Sequence, residues 1–321
     1  MQSKSLANLI GWRLVQLPFI LFVVYTITFL LAWQIPGNPL EKEGRRPPKE
    51  VVEQMEAQYN LNDPIAFYCD YIWKASGLSW VSGNRSEPVF NLGPSLRHEN
   101  WTVNDILIAQ LPVSMAIGAC AILIALIIGL SAGALSAIKP KSWVEHISFV
   151  IAIIGISLPS FVIGVVLLIV FAVWLRWFPI SGWGTWQHLV LPSVALSLPF
   201  AAYIAQLTKT GMVEQLRSDH IRTARAKGVS ETAVVLKHAM KNAILPVVSY
   251  LGPATAAAMT GSFVIEKVFA IPGIGTHFVD AVLGKDITVL MGIVLVYATL
   301  LVLFNLAVDV MYRFLDPRPT L

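Results

Sequence analysis

Sixteen consecutive residues carry the side chains with the most definite physical roles in this sequence: Ser218-Asp219-His220-Ile221-Arg222-Thr223-Ala224-Arg225-Ala226-Lys227-Gly228-Val229-Ser230-Glu231-Thr232-Ala233. Asp219 is placed to cap a short helix from His220 to Lys227, rich in Ala, Arg and Lys. Gly228 is placed to end it in the left-handed conformation. Ser230 can cap the next helix, with Glu231 in its first turn. The stretch is basic, with Arg222, Arg225 and Lys227 as its cations and Ala224 and Ala226 between them. Two readings of the stretch stand open, a basic loop that only fixes topology and a docking element whose tethered helix transmits a rigid-body push.

Catalytic patterns are missing. The only Gly-Lys, Gly284-Lys285, is followed by Asp286 and lacks the upstream glycine of a phosphate loop. Neither H-E-x-x-H nor G-x-S-x-G occurs, and the six His are scattered. A membrane enzyme would need a convergent acid–base or metal cluster, and none is visible. A self-sufficient secondary carrier would place Asp, Glu or His within its spans. Only Asp309 does so, four residues before Arg313, as an interfacial acid-to-base pair would.

The elements that hold these residues follow from composition. Of 321 residues, 56% are hydrophobic and 13% charged, half the charge of a soluble domain, and mean hydropathy is +0.67. This is the composition of an all-α membrane protein and excludes disorder. A spanning helix takes about 20 apolar residues. Six such runs are present: Leu14–Trp33, Ile106–Ile138, Ile147–Leu175, Leu191–Thr208, Asn242–Ile265 and Ile287–Val308. The second is too long for one crossing. Pro112 suits a first turn, so that span is expected to start near Gln110, after a short interfacial helix capped by Thr102 and Asp105. Lys4 and Arg13 precede the first run as in a secretory signal, but Ala32-Trp33-Gln34-Ile35-Pro36 offers no small-x-small cleavage site. An uncleaved first span is expected.

Lys and Arg placement orients the spans. With both termini in the cytoplasm, inside segments carry a net +8 and outside segments −3. The pI of 9.0 is thus a topology signal, and no nucleic-acid partner is indicated. The chain divides into 1–33 (N-terminus and first span), an extracytoplasmic insertion 34–105, and a core 106–321 with a cytoplasmic loop 209–241. Cys120 lies in an apolar run and Cys69 outside one, so no mutual disulfide or Cys-based metal site is expected.

The run from Asp219 to Gly228, followed by Lys237-His238-Ala239-Met240-Lys241-Asn242-Ala243-Ile244-Leu245-Pro246, resembles the cytoplasmic "EAA" loop of ABC importer permeases. The resemblance is to the oligopeptide/dipeptide/nickel branch, first permease of the pair. This sequence departs from the broader motif in two places: Arg222 stands at the motif's Glu, and Ala239-Met240-Lys241 at its later I-L-P. Further matches are Ile35-Pro36-Gly37-Asn38-Pro39, Leu61-Asn62-Asp63-Pro64, Trp177-Phe178-Pro179-Ile180-Ser181-Gly182-Trp183, Ile271-Pro272-Gly273-Ile274-Gly275, and Asp309 with Asp316-Pro317-Arg318.

The resemblance implies a six-span, type I ABC importer permease fold in a bacterial inner membrane. It implies a second homologous permease, two cytoplasmic ATPases holding ATP and Mg²⁺, and an extracytoplasmic substrate-binding protein, with no cofactor in this chain and no catalysis of its own. Asp219, Arg222, Ala224, Arg225, Ala226, Lys227 and Gly228 would form the ATPase-coupling loop. Pro272, Gly273 and Gly275 would shape an extracytoplasmic gate, or an ordinary turn. The insertion would meet the binding protein, unless Trp73, Trp80 and Trp101 sit at the membrane interface instead. Ser157, Pro159, Ser160, Ser249, Thr255, Thr260 and Ser262 are candidate pathway lining. Pro159 and Pro199 would bend their spans, and Gly129, Gly133, Gly155 and Gly164 serve close helix packing.

Overall fold

The computed structural model describes residues 2–36, 40, 49–98, 100–140 and 142–315. Gly37, Asn38, Pro39 and the Asp316-Pro317-Arg318 ending lie outside them. The described helices are α1 (Gln2–Trp33), α2 (Lys49–Gln58), α3 (Pro64–Ala75), α4 (Leu78–Val81), α5 (Val103–Ile138), α6 (Trp143–Ser157), α7 (Ser160–Leu167), α8 (Gln187–Leu216), α9 (Asp219–Ala226), α10 (Glu231–Ala233), α11 (Met240–Ala243), α12 (Leu245–Met259), α13 (Phe263–Val268), α14 (Ile274–Leu283) and α15 (Ile287–Leu315). Wider π-type turns extend α7 over Leu168–Trp174 and join α10 to α11 over Val234–Ala239. Among the described residues there is no strand, only an isolated bridge between Pro94 and Thr102.

Among the described residues four helices are long and apolar enough to cross a membrane: Ile10–Trp33, Val103–Ile138, Gln187–Leu216 and Ile287–Phe314. The second starts earlier than expected. Thr102 and Asp105 do form the reciprocal cap, each backbone N–H reaching the other's side-chain oxygen at 3.1 Å. But α5 then runs unbroken from Val103, with Pro112 inside it and no separate interfacial helix. One hydrogen bond lost to proline does not break a capped helix of 36 residues.

The third and fifth runs are broken. Leu158 is extended (φ −92°, ψ 131°) between α6 and α7, because Pro159 disfavours helical backbone at the residue before it. Pro199, by contrast, sits within a continuous α8. In the fifth run α12 stops at Met259, Gly261 turns at φ +87°, and Ser262 Oγ caps α13 by accepting from the Ile265 N–H.

Two compact units form, one centred on Ser114–Pro272, the other on Gly11–Val113 and Gly273–Thr299. In the first, α8 is the axle. A Cβ on Gly129 would lie 2.7 Å from Ile204, and one on Gly133 2.5 Å from the Ala205 carbonyl oxygen, so glycine is what lets α5 close on α8. In the second unit, Tyr25, Phe29 and Ala32 form one face of α1 and pack on Phe67 and Tyr71 of α3. The Tyr25 hydroxyl donates to the Tyr68 carbonyl at 2.6 Å. Asp63 caps α3, accepting from the N–H groups of Ile65 and Ala66.

Candidate functional site

The loop after α8 is built around one anchor. Ile221 is fully buried and packs with Met212, Val234, Val235 and Ala239. It is the residue that fixes α9 to the loop's own small core. His220, Arg222, Thr223, Arg225, Ala226, Lys227 and Gly228 are exposed, and Ala224 is half-buried. The expected short helix is present, one residue earlier than anticipated. Ser218, with extended backbone, occupies the capping position, and Asp219 is the first helical residue. There its carboxylate meets the positive end of the helix and the Arg222 guanidinium at 3.3 Å.

Gly228 ends the helix as its sequence position demands. Its φ is +77°. Its N–H donates to the Arg225 carbonyl, and the Val229 N–H donates to the Ala224 carbonyl. This is the paired bonding of a left-handed helix stop, with Val229 packed beside Ala224 on the anchor cluster. Ser230 adopts cap-like backbone before α10, but its side chain makes no cap hydrogen bond. Glu231 instead grips Arg225 with both oxygens, at 3.1 Å from Nε and 2.5 Å from Nη2. That hydrogen bond holds the Glu231 carboxyl below its usual range. Arg225 is therefore already engaged within its own loop, while the exposed Lys227 has no ion pair among the described residues.

Pro272 is exposed, and the buried Gly273 is the cap of α14 in extended backbone (φ −102°, ψ 168°), with Gly275 buried in its first turn. Of the hydroxyls considered as pathway lining, Ser249 donates to the Leu245 carbonyl and Thr260 to that of Ala257, while Ser262 caps α13. Ser157 and Pro159 are exposed at the α6–α7 break, with Ser160 half-buried beside them. Thr255 is half-buried in α12.

One site was not anticipated. Asp286 is 2% exposed and accepts five hydrogen bonds. One oxygen takes Ser95 Oγ at 2.6 Å and the N–H groups of Leu96 and Arg97; the other takes Thr288 Oγ1 and the Val289 N–H. The carboxylate caps α15 and ties the insertion's 95–97 turn to it. The signal was present: an acid immediately before a long apolar run is a helix start. Beside it, Arg97, His98, His277 and Asp280 line a cleft. His277 and His98 meet edge-to-face at 5.5 Å. Burial first, and then His98, hold His277 below its usual value.

Residues 125–320 match the family described as binding-protein-dependent transport system inner membrane component. The chain belongs to that family. It is a membrane component of an importer, not an enzyme in its own right. The oligopeptide transport system permease protein OppB of Salmonella typhimurium is 41% identical over 302 residues, 93% of this chain and 94% of that protein. The dipeptide transport system permease protein DppB of Bacillus subtilis is 40% identical over 299 residues, 93% of each. The OppB protein of Haemophilus influenzae is 38% identical over 300 residues. Among solved structures, the inward-facing methionine ABC transporter MetNI matches with TM-score 0.51 at 18% identity, covering 66% of this chain and 96% of that one. That likeness concerns the permease fold alone.

Proposed function

We propose that this permease imports peptides, driven by ATP bound on two partner ATPases, alongside a second homologous permease and an extracytoplasmic binding protein. The names of its relatives, oligopeptide and dipeptide permeases, support the peptide cargo. Its four long helices, together with the broken α6–α7 and α12–α13 crossings, make six spans with both termini cytoplasmic. The insertion 34–105 meets the binding protein, and Pro272, Gly273 and Gly275 belong to the outer gate.

The observation that carries the coupling role is the division of labour in α9. Ile221 roots the helix in the permease, and the exposed Arg222, Ala226, Lys227 and Gly228 are left for the ATPase. Such a helix moves the spans only if its contacts differ in energy between the two ATPase states. The test is ATPase activity of the reconstituted complex with and without binding protein. The variant R222E/K227E should assemble and lose the stimulation. Full stimulation in that variant would remove the docking assignment, and failure to co-purify with any ATPase would restore a self-sufficient carrier.

A further inference from the structure

The surface of the first unit carries two kinds of helical face. On α5 the exposed residues from 119 to 135 are mostly bulky and apolar, Leu123, Ile127, Ile128 and Leu135 against Ala119 and Ser131, with Leu123 59% exposed and Ile127 60%. On α8 the exposed residues from 191 to the helix end are Tyr203, Gln206, Thr210 and Glu214 only. Their spacing of three, four and four places them on one stripe. The remainder of that stretch is buried or half-buried. On α12 the exposed residues are Pro246, Ser249, Pro253 and Ala257, with the same spacing. The two stripes are joined by Tyr203 and Tyr250, whose rings stand 4.5 Å apart.

Among the described residues, the side chains of Tyr203, Gln206, Thr210 and Tyr250 make no hydrogen bond within the chain. A carboxamide and two phenols facing hydrocarbon without partners are unfavourable, so this face does not meet lipid. Close permease–permease packing favours small residues, with polar side chains bonded across the contact; exposed bulky rings such as Tyr203 hold helices apart. A stripe led by Tyr and Gln is instead suited to water and to a solute with many amide groups.

Resting on the peptide-importer reading above, we propose that Tyr203, Gln206 and Tyr250 form a hydrated wall of the translocation pathway in its cytoplasmic half, where they hydrogen-bond the backbone amides of the passing peptide. The wall is dipolar and uncharged over these residues. It therefore accepts backbone donors and acceptors in any order, discriminates little among side chains, and releases the cargo readily. The anticipated Ser249 lies at its edge, with its hydroxyl already turned to Leu245.

The test uses the whole complex in inside-out vesicles with C69S and C120A in this chain. Q206C should react with a membrane-impermeant maleimide roughly tenfold or more faster than I127C, because only a thiol in contact with water ionises. Equal, negligible labelling of the two would overturn the proposal. A Y203F/Y250F variant and a Q206L variant should lower uptake of a mixed tripeptide pool, scored by mass spectrometry, by about fivefold per hydrogen bond lost, with binding-protein-stimulated ATPase retained. Joint loss of uptake, stimulation and assembly would mean a permease–permease contact and overturn it, as would unaltered uptake. A wild-type complex without stimulation would count against the importer reading, whereas a stimulated complex with an unreactive Q206C counts against the wall alone.

Discussion

The α9 loop and the Asp286 knot both fix a turn of chain to a helix, and they do it in opposite ways. In the loop, one buried isoleucine holds the helix and every ion pair lies exposed. In the knot, one buried carboxylate collects five donors from residues about 190 positions away in sequence and from its own helix start. An exposed pair is weakly held and its members are free to exchange partners. A buried, fully bonded acid is costly to disturb. The difference separates a surface whose charges can change partners from a joint that is costly to open.

The comparison breaks most sharply at Asp286. Asp286→Ala leaves buried N–H donors of the 95–97 turn unpaired and should cost about 3–4 kcal/mol, seen as a large drop in the melting temperature of the detergent-solubilised complex. Asp219→Ala in the loop should leave melting unchanged. Equal effects would erase the distinction. Next is Ile221→Ala, at about 2–3 kcal/mol for a buried isoleucine. Because the cluster is local to the loop, proteolysis between residues 217 and 233 should accelerate before global melting shifts. Gly228→Val imposes left-handed backbone on a β-branched residue, about 1–2 kcal/mol. It should uncouple uptake from ATP hydrolysis, while Gly228→Asn, which tolerates that backbone, should stay coupled.

Arg225→Glu tests where the loop's charge is used. If Arg225 serves its own loop through Glu231, the swap R225E/E231R should restore the stimulation that Arg225→Glu removes. If Arg225 also contacts the ATPase, the swap stays uncoupled. The smallest effect is at His277. Its value in the folded protein lies below the ordinary 6.5, so the unfolded chain binds the extra proton first. Stability is complete above about pH 6.5 and falls as pH drops from there through the folded value. His277→Gln should flatten the melting profile between pH 7 and 5.

What sequence could reveal divides along the same line. The α9 helix, its left-handed stop at Gly228 and the small-residue contacts of Gly129 and Gly133 depend on neighbours three to five residues apart or on size alone, and each was legible. The partner of Arg225 was not, because Glu231 was assigned to a helix start by its position after Ser230. The α6–α7 break was anticipated only as a bend: Pro159 states that a hydrogen bond is lost, not whether packing keeps the helix whole, as it does at Pro199. The Asp286 knot is not legible in sequence because its donors, Ser95 to Arg97, carry no local pattern that points to it. Hydroxyl type alone does not mark a free side chain, because Ser249 and Thr260 spend theirs on their own backbone.

Nothing lies within 4 Å of where a side chain at Gly228 would begin. Within the chain the position is therefore indifferent to size and sensitive to handedness. A D-alanine installed there by semisynthesis would take the same backbone without strain, whereas its L-enantiomer, identical in volume and polarity, would not. At this one residue the loop selects a backbone handedness, and its stop depends on a mirror-image conformation that the genetic code supplies freely only through glycine.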